Sequence, residues 1–572
     1  MVRRLYAARV QDPLETRLTW DALPDFAQMR DMDRAAARLA QAVQRHERIV
    51  IAGDYDADGA TATAVLVKAI RLWGGTVDFV VPDRQQEGYG LTPPLAERVL
   101  ADHPCSLLIT VDNGIASHAG IALLNQHKVT TLVTDHHLPP EGALPPAYAV
   151  VDPKRADETT ATAHLAGVGV ALGLAIVTRD HLLRAHWERT APSTATSLTG
   201  LLDLVALGTI ADVVPLDRVN RLLVDQGLRY IREGLGCPGI RALAQCAQRS
   251  FARLQSEDLA FSLGPRLNAA GRLADMRTGI HCLLASTSDE AMALAQSLQD
   301  LNTERRSLEN QMRLDAERYL GNLLTDSAEK PFGIVLADPS WHEGVVGLVA
   351  GRIKDRLQRP VIACAPGVDG VWKGSARSIP GIHIRDVLVR IDKDHPGLLQ
   401  RFGGHAAAAG LSLAAHRISD LRRVFAQAVR SEASSPEVFV QEPLTDGTLS
   451  GADLTLETAQ AIQNAGPWGA GFPPPLFEGD FEVLTIDPLK DGLHARLTVR
   501  PLGEDRSPVL TAMAFNLGQR LLWTPTLGAH RFHYGLGVNT FRDQSTPQIL
   551  IDAVVPPHAP GDDPDTESRL RV

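Results

Sequence analysis

Cysteine is scarce in this chain and never closely paired. Cys105, Cys237, Cys246, Cys282 and Cys364 are scattered over 572 residues with no C-x-x-C motif. That excludes a cysteine zinc site or a disulfide framework as the organising device. Net positive charge is also lacking. The formal balance of −10 has the wrong sign for a protein that coats nucleic acid indiscriminately, although a local basic channel remains compatible with it. No stretch reaches the ~18 to 20 apolar residues of a membrane span. The opening residues MVRRLYAARVQDP contain no apolar signal-peptide core, so a cytoplasmic location is expected. No G-x-x-x-x-G-K-[ST] loop occurs, which leaves ATP turnover without support.

What is present is an ordinary globular composition, 44% hydrophobic and 22% charged, at a length that holds about three or four domains. The chain is organised around residues 48–63, RIVIAGDYDADGATAT. A β-branched run through Ile49, Val50 and Ile51 stops at a turn carrying Asp54, Asp56 and Asp58, and an Ala/Val-rich helical pattern follows at once. Three carboxylates on one turn repel one another, and a divalent cation removes that cost. Further strand-like runs at Val77–Val81, Leu107–Val111, Thr131–Val133 and Tyr148–Val151 alternate with helical or Gly/Pro-rich connections. The alternation predicts a parallel sheet covered on both faces, with ligands beyond the carboxyl ends of its strands.

The residues at those ends are of metal-ligand type. Asp112-Asn113-Gly114 follows one strand, Asp135-His136-His137 another, and Asp212 closes a helical run that begins at Leu201. Mixed carboxylate and imidazole donors without cysteine suit Mn²⁺ or Mg²⁺, with the imidazole favouring Mn²⁺. The chemistry they suit is two-metal hydrolysis of a phosphoester, and Asp112 is the natural bridging carboxylate.

Taken together, GDYDADG, VDNG, TDHH and LGTIADVVPL resemble the signature motifs of the DHH phosphoesterase superfamily. The later motifs resemble its bacterial RecJ branch, the single-strand-specific 5′→3′ DNA exonucleases, over nearly all of residues 48–555. The resemblance implies that Asp56, Asp58, Asp112, His136 and Asp212 hold two divalent cations, Mn²⁺ or Mg²⁺. It implies a catalytic part for Asp112, His136 and His137, and an orienting one for Asp54 and Asp135. Arg84, Arg272, Ser375, Arg377 and His405 are implied as contacts to substrate phosphate, with Ser375 and Arg377 holding the 5′-phosphate and so setting polarity. Ala376 stands where the branch commonly has glycine. Ala52 stands where the superfamily's pyrophosphatases carry histidine, which argues against that activity. Single-stranded DNA, a single-strand-binding protein and a helicase are the implied partners of a monomer.

The expected fold is α/β: two α/β lobes, DHH and DHHA1-like, joined by a long helix, plus a C-terminal OB-fold β-barrel. The expected division is an N-terminal helical extension packed on the first domain (1–47), the DHH domain (48–285) and the connector helix (286–325). A DHHA1-like domain (326–435), an OB-fold domain (436–556) and a disordered tail (557–572) complete it. Residues 264–272, GPRLNAAGR, read as an unusual loop with two arginines. Residues 374–378 and 403–405 read as Gly-rich turns that cradle phosphate. Five alternating runs after residue 480 predict the small barrel, in which Phe477, Phe515, Tyr534 and Phe541 are either core or base-stacking residues. Two rivals stay open here: a superfamily enzyme for short RNA or cyclic dinucleotides, and an inactive scaffold that only binds partners.

Overall fold

The computed structural model describes residues 1–555 except 11, 85, 188–196, 326–330, 368–369, 440–442, 490–491, 504–507, 518–520, 522 and 543. The expected tail lies outside the described residues. The first lobe is built on five parallel strands: β1 (Arg48–Ala52), β2 (Thr76–Val80), β3 (Leu107–Val111), β4 (Thr130–Thr134) and β5 (Ala149–Val151), in the order β2-β1-β3-β4-β5. Alternation along β1 fills both faces. Ile49 and Ile51 join a core with the helices Met32–Gln44, Ala57–Leu72 and Gly167–Arg184. Val50 and Ala52 point into a second core with Pro93–Asp102 and His118–Gln126. Strand order reverses between β1 and β3, and a doubly wound sheet opens its ligand crevice at that reversal.

The helix Ser288–Thr325, 38 residues long, spans about 57 Å at ~1.5 Å per residue. It carries the second lobe through two charge clusters. Glu309 pairs with Arg305 and Arg352, and Glu317 pairs with Arg313 and Arg356, so the connector grips the helix Val346–Leu357. The second sheet runs β6 (Ile334–Ala337), β7 (Val361–Pro366), β8 (Val371–Arg377), β10 (Ala408–Ala414) and β9 (Arg401–Gly404) in spatial order. The third unit is a closed barrel of β11 (Phe477–Pro488), β12 (His494–Pro501), β13 (Leu510–Phe515), β15 (Gln544–Val555) and β14 (Gly528–Phe541). Phe477 and Tyr534 are in its core, whereas Phe515 and Phe541 are 40% and 67% exposed. No described helix is long and apolar enough to cross a membrane.

Two local expectations are corrected. Residues 264–272 are not a loop but most of the helix Gly264–Leu273, in which Leu267, Ala269 and Ala270 are buried. Pro265 starts that helix instead of breaking it, because a first-turn proline gives up an amide that had no partner. Residues 374–377 and 403–404 belong to strands β8 and β9, since the ladder through β10 pairs Gly410 with both Ser375 and Gly403. The first helix, Val2–Ala7, packs on the first lobe through Val2 and Tyr6, as expected of the extension, and reaches the barrel as well through Leu5. Leu5 sits in the barrel core, and Arg9 bridges both oxygens of buried Asp446 at 2.7 and 2.8 Å.

Candidate active site

The acidic turn after β1 is shaped by the helix that follows it. Asp56 caps that helix, its carboxylate accepting the Gly59 amide at 3.0 Å. Asp58, in the first turn of that helix, is buried and accepts amides from the start of another helix, Gly167 N at 2.6 Å and Val168 N at 2.9 Å. Each of its oxygens keeps a lone pair. Asp112 follows β3 with a left-handed backbone, φ 61°. Asn113 beside it donates to the carbonyls of Ala52 and Val111 and ties β1 to β3 at the crevice. Asp135 follows β4 and accepts from the amides of Ile115, His136 and His137 and from His137 Nδ1 at 2.8 Å. It is therefore occupied in orienting the two histidines.

These elements bring the acidic and histidine residues singled out in the sequence to one point. His136 Nε2 lies 2.9 Å from Asp112 Oδ1, 3.6 Å from Asp212 Oδ2 and 3.8 Å from Asp58 Oδ2. Asp54, Asp56 and Asp112 form a second set of donors within 4.8 Å of one another, and His137 stands within the same distance of Asp112 and His136. Asp112 Oδ1 and His136 Nε2 are both buried and neither has a hydrogen-bond partner. Two buried acceptor atoms facing each other at 2.9 Å are costly unless a cation lies between them and their neighbours. The donor set, carboxylates with imidazole, is that of Mn²⁺ or Mg²⁺. Asp54 enters this geometry as a possible donor as well as an orienting group.

Electrostatics agree. Burial first, and then neighbouring carboxylates, push Asp58 up to about 7 and Asp212 up to about 9, and raise Asp54 and Asp112 well above the usual range. Burial pushes His136 down to about 3, leaving its imidazole neutral and able to ligate. Burial also opposes charge on His137, but the hydrogen bond to Asp135 outweighs it and raises His137 to about 9.

A cleft of about 900 Å³ lies between the lobes beside this cluster, lined by Tyr55 of the acidic turn and by Arg84, Arg272 and Ser375 among others. Arg84 lies over the Tyr55 ring, and Arg272 donates to Gly344 O at 3.1 Å. Arg272 is pushed down to about 10 by burial and by the charges of Arg84 and Arg377. Arg377 donates to Ser375 Oγ at 2.8 Å. Gly347 lets the second-lobe helix approach them, because a Cβ there would meet Arg377 Nη2 at 2.8 Å and Ser375 Oγ at 2.9 Å. His405 lines a separate, smaller pocket with His137 and Asp135.

Three groups had not been singled out from the sequence. Tyr89 is placed with its hydroxyl 3.3 Å from His137 Nε2 and its ring edge-on to His137. Asp152, directly after β5, is buried with Oδ2 unpartnered, and burial with nearby Asp135 pushes it up to about 7. Gly167 packs against Asp112. The rule of inspecting strand ends applies to Asp152; Gly167 leaves no local signal.

The two lobes, the switch-point cluster of aspartates and histidine, and the barrel define a DHH-type phosphoesterase architecture. Family models agree: the DHH family N-terminal domain matches residues 48–209, the DHHA1 domain 330–431 and the RecJ OB domain 445–553. The single-stranded-DNA-specific exonuclease RecJ of Dickeya dadantii is 44% identical over 561 residues, covering 97% of this chain and 96% of that protein. That of Escherichia coli is 42% identical over 560 residues with the same coverage. RecJ of Thermus thermophilus in complex with Mn²⁺ superposes with a TM-score of 0.75 at 30% identity, over 98% of this chain and 76% of that one. Its complex with Mg²⁺ gives 0.68 at 27% identity, over 98% and 75%. This chain belongs to the RecJ family of single-stranded-DNA-specific exonucleases.

Proposed function

We propose that this chain degrades single-stranded DNA from its 5′ end, hydrolysing phosphodiester bonds and releasing 5′-mononucleotides in DNA repair and recombination. The observation that carries the reading is the pair of buried, unpartnered atoms, Asp112 Oδ1 and His136 Nε2, 2.9 Å apart inside a ring of aspartates. In this reading Asp56, Asp58, Asp112, His136 and Asp212 hold two divalent cations, Asp54 is a further donor within reach, and Asp112 is shared. Bound cations of this kind lower the pKa of a coordinated water and polarise the phosphoryl oxygens. The chain's own groups do the rest. Asp135 fixes the ring of His137, whose raised pKa keeps it cationic at neutral pH, beside the developing negative charge. Tyr89 buttresses His137 from the cleft side. Arg84 and Arg272 neutralise substrate phosphate, Arg84 from the exposed rim of the cleft and Arg272 from a largely buried position, where charge-assisted contacts are strong. Ser375 and Arg377 hold the terminal 5′-phosphate, and His405 approaches from the second lobe.

The domain division is proposed as 1–47, 48–285, 286–325, 326–435, 436–556 and the tail 557–572. The protein is proposed to act as a cytoplasmic monomer, alongside a single-strand-binding protein and a helicase. The test uses end-labelled single- and double-stranded oligonucleotides bearing a 5′-phosphate, with Mn²⁺ or EDTA. Metal-dependent release of mononucleotides from the 5′ end of the single strand alone is the expected result. Cleavage only of short RNA or a cyclic dinucleotide would keep the metal chemistry and overturn the substrate.

A further inference from the structure

The cleft floor carries more cationic surface than one 5′-phosphate requires. Register across the second sheet arranges it in rows. Ser375 of β8 stands opposite Gly410 of β10, which stands opposite Gly403 of β9. Two residues along each strand, Lys373 stands opposite Ser412, which stands opposite Arg401. All six line the cleft, and side chains two apart on a strand share a face. The rows lie about 6.6 Å apart at ~3.3 Å per residue. Lys373 and Arg401 are exposed and form no ion pair with any described residue. On the facing wall, by contrast, Arg98 is paired with Glu87 and Arg277 with Asp275.

The glycines between the rows point the same way. A Cβ at Gly403 or Gly410 would meet nothing within 4 Å, and neither has positive φ. The fold does not demand glycine at either position. What they provide is a bare stretch of strand over which a ligand can approach the backbone.

Direction decides what that ligand is. Arg377 pairs with Ala408, three residues beyond His405, and His405 lines a pocket with Asp135 and His137. The Arg377 end of β8 therefore faces the aspartate–histidine cluster, and Lys373 lies away from it. A strand whose first phosphodiester is at the cluster and whose 5′-phosphate is at Ser375 and Arg377 has only the outer substituents of that phosphate beyond. We propose that Lys373, Ser412 and Arg401 form a second anion site that takes the outer phosphates of a single strand ending in a 5′-triphosphate. The row spacing is comparable to the reach from an α- to a γ-phosphate. The inference rests on the exonuclease reading and on the assignment of Ser375 and Arg377. Water adds to the phosphorus of the second nucleotide and the 3′-oxygen of the first leaves. The products are a nucleoside 5′-triphosphate and a strand with a new 5′-monophosphate. Such ends arise where a polymerase starts a chain from a nucleoside triphosphate.

The experiment measures first-cleavage kcat and KM on one oligodeoxynucleotide carrying either a 5′-monophosphate or a 5′-triphosphate, using the full chain with excess Mn²⁺. The unmodified protein is expected to cut both strands, with a KM for the triphosphate strand no higher than for the monophosphate. Lys373→Gln/Arg401→Gln is expected to raise KM for the triphosphate strand by about 10- to 100-fold, the scale of two lost charge-assisted contacts. The monophosphate strand should stay within about threefold, as for surface substitutions elsewhere, and serves as the folding control. Refusal of the triphosphate strand by the unmodified protein, or an equal loss on both strands in the variant, overturns the site. Cleavage of neither strand by the unmodified protein would overturn the exonuclease reading itself, and the second site with it.

Discussion

Gly167 carries no side chain to ligate or bind anything, yet Gly167→Ala is expected to disable catalysis. A Cβ at this position would lie 2.7 Å from Asp112 Cβ, 2.8 Å from its Oδ1 and 2.9 Å from its Cγ. Ordinary contact begins at 3.4 Å, so at least 0.7 Å of separation (3.4 minus 2.7) must be found. Asp112 is held at the end of the all-buried strand β3, and Gly167 N is bonded to Asp58 Oδ2 at 2.6 Å. Moving Asp112 therefore disturbs one donor, and moving the helix disturbs the other. Productive geometry tolerates about 0.5 Å, and ~1 Å of misplacement costs about 10²-fold in rate. Overpacking itself costs about 1–3 kcal/mol, which a domain of this size survives. The assay is release of mononucleotides from a 5′-labelled single strand, resolved into kcat and KM, with melting curves with and without Mn²⁺. The expected result is a kcat lower by about 100-fold and a smaller Mn²⁺-induced rise in Tm. Gly351→Ala, at a helical glycine with nothing within 4 Å, is the matched control and should leave both unchanged. A Gly167→Ala protein with normal kcat and Mn²⁺ response would refute the claim that this close approach positions Asp112.

Asp112→Asn should lower kcat by about 10²- to 10³-fold or more while leaving strand binding by fluorescence anisotropy intact; parallel loss of binding would point to a folding defect. Metal binding should be linked to protons. In the metal-free protein Asp58 and Asp212 are raised to about 7 and about 9, against ~3.9 in the unfolded chain. The folded state thus holds protons that the unfolded chain has released, and its stability falls as pH rises from about 4 toward about 9. Mn²⁺ displaces those protons, so its stabilisation should grow from about pH 6 to pH 8; a pH-independent Mn²⁺ increment in Tm would contradict this. Arg9→Ala leaves Asp446 buried and unpaired, at a cost of about 3–5 kcal/mol. Limited proteolysis should then release the barrel early, and Arg9→Leu/Asp446→Leu should recover part of the loss. Arg377→Ala should raise KM for a 5′-phosphorylated strand while leaving a 5′-hydroxyl strand little changed, which initial rates on the two substrates will separate.

The first lobe was legible because a parallel sheet buried on both faces writes its strands as continuous apolar runs, and because its chemistry sits at their ends. Asp56, Asp58, Asp112, His136 and Asp212 follow from that geometry together with the motif resemblance. Segments in which local composition and long-range pairing disagree were read wrongly. Glycines at 374, 403 and 404 suggest turns, but β10 pairs across both segments and holds them as strands. Pro265 between two glycine-containing stretches suggests a loop, but buried Leu267, Ala269 and Ala270 make it a helix. Val2–Ala7 carries no sign that Leu5, alongside the expected packing on the first lobe, enters the core of a barrel more than four hundred residues away.

The position of Asp212 shows why such distant contacts matter to the chemistry. Val213, the next residue, is β-branched, 69% exposed and held at φ 64°, a conformation that persists only where the surroundings enforce it. The enforcement comes from the segment before the barrel. Leu216 N donates to Ala470 O at 2.7 Å, and Ser256 donates to Trp468 O at the same distance. Gly469 and Gly471 allow the approach, since a Cβ at either would meet Leu216 at 2.7 Å or Pro215 at 3.2 Å. Trp468 and Phe472 stack on each other and are buried in the core of the first lobe, and Arg221 lies over Phe472 at 4.1 Å. The loop bearing one donor of the cluster is thus pinned by the same segment that anchors the barrel. Arg9 binds Pro473 O next to it and Asp446 at the barrel's entry. Barrel and aspartate–histidine cluster share one mechanical support, so loosening the Arg9–Asp446 pair is expected to reach Asp212 as well as the barrel.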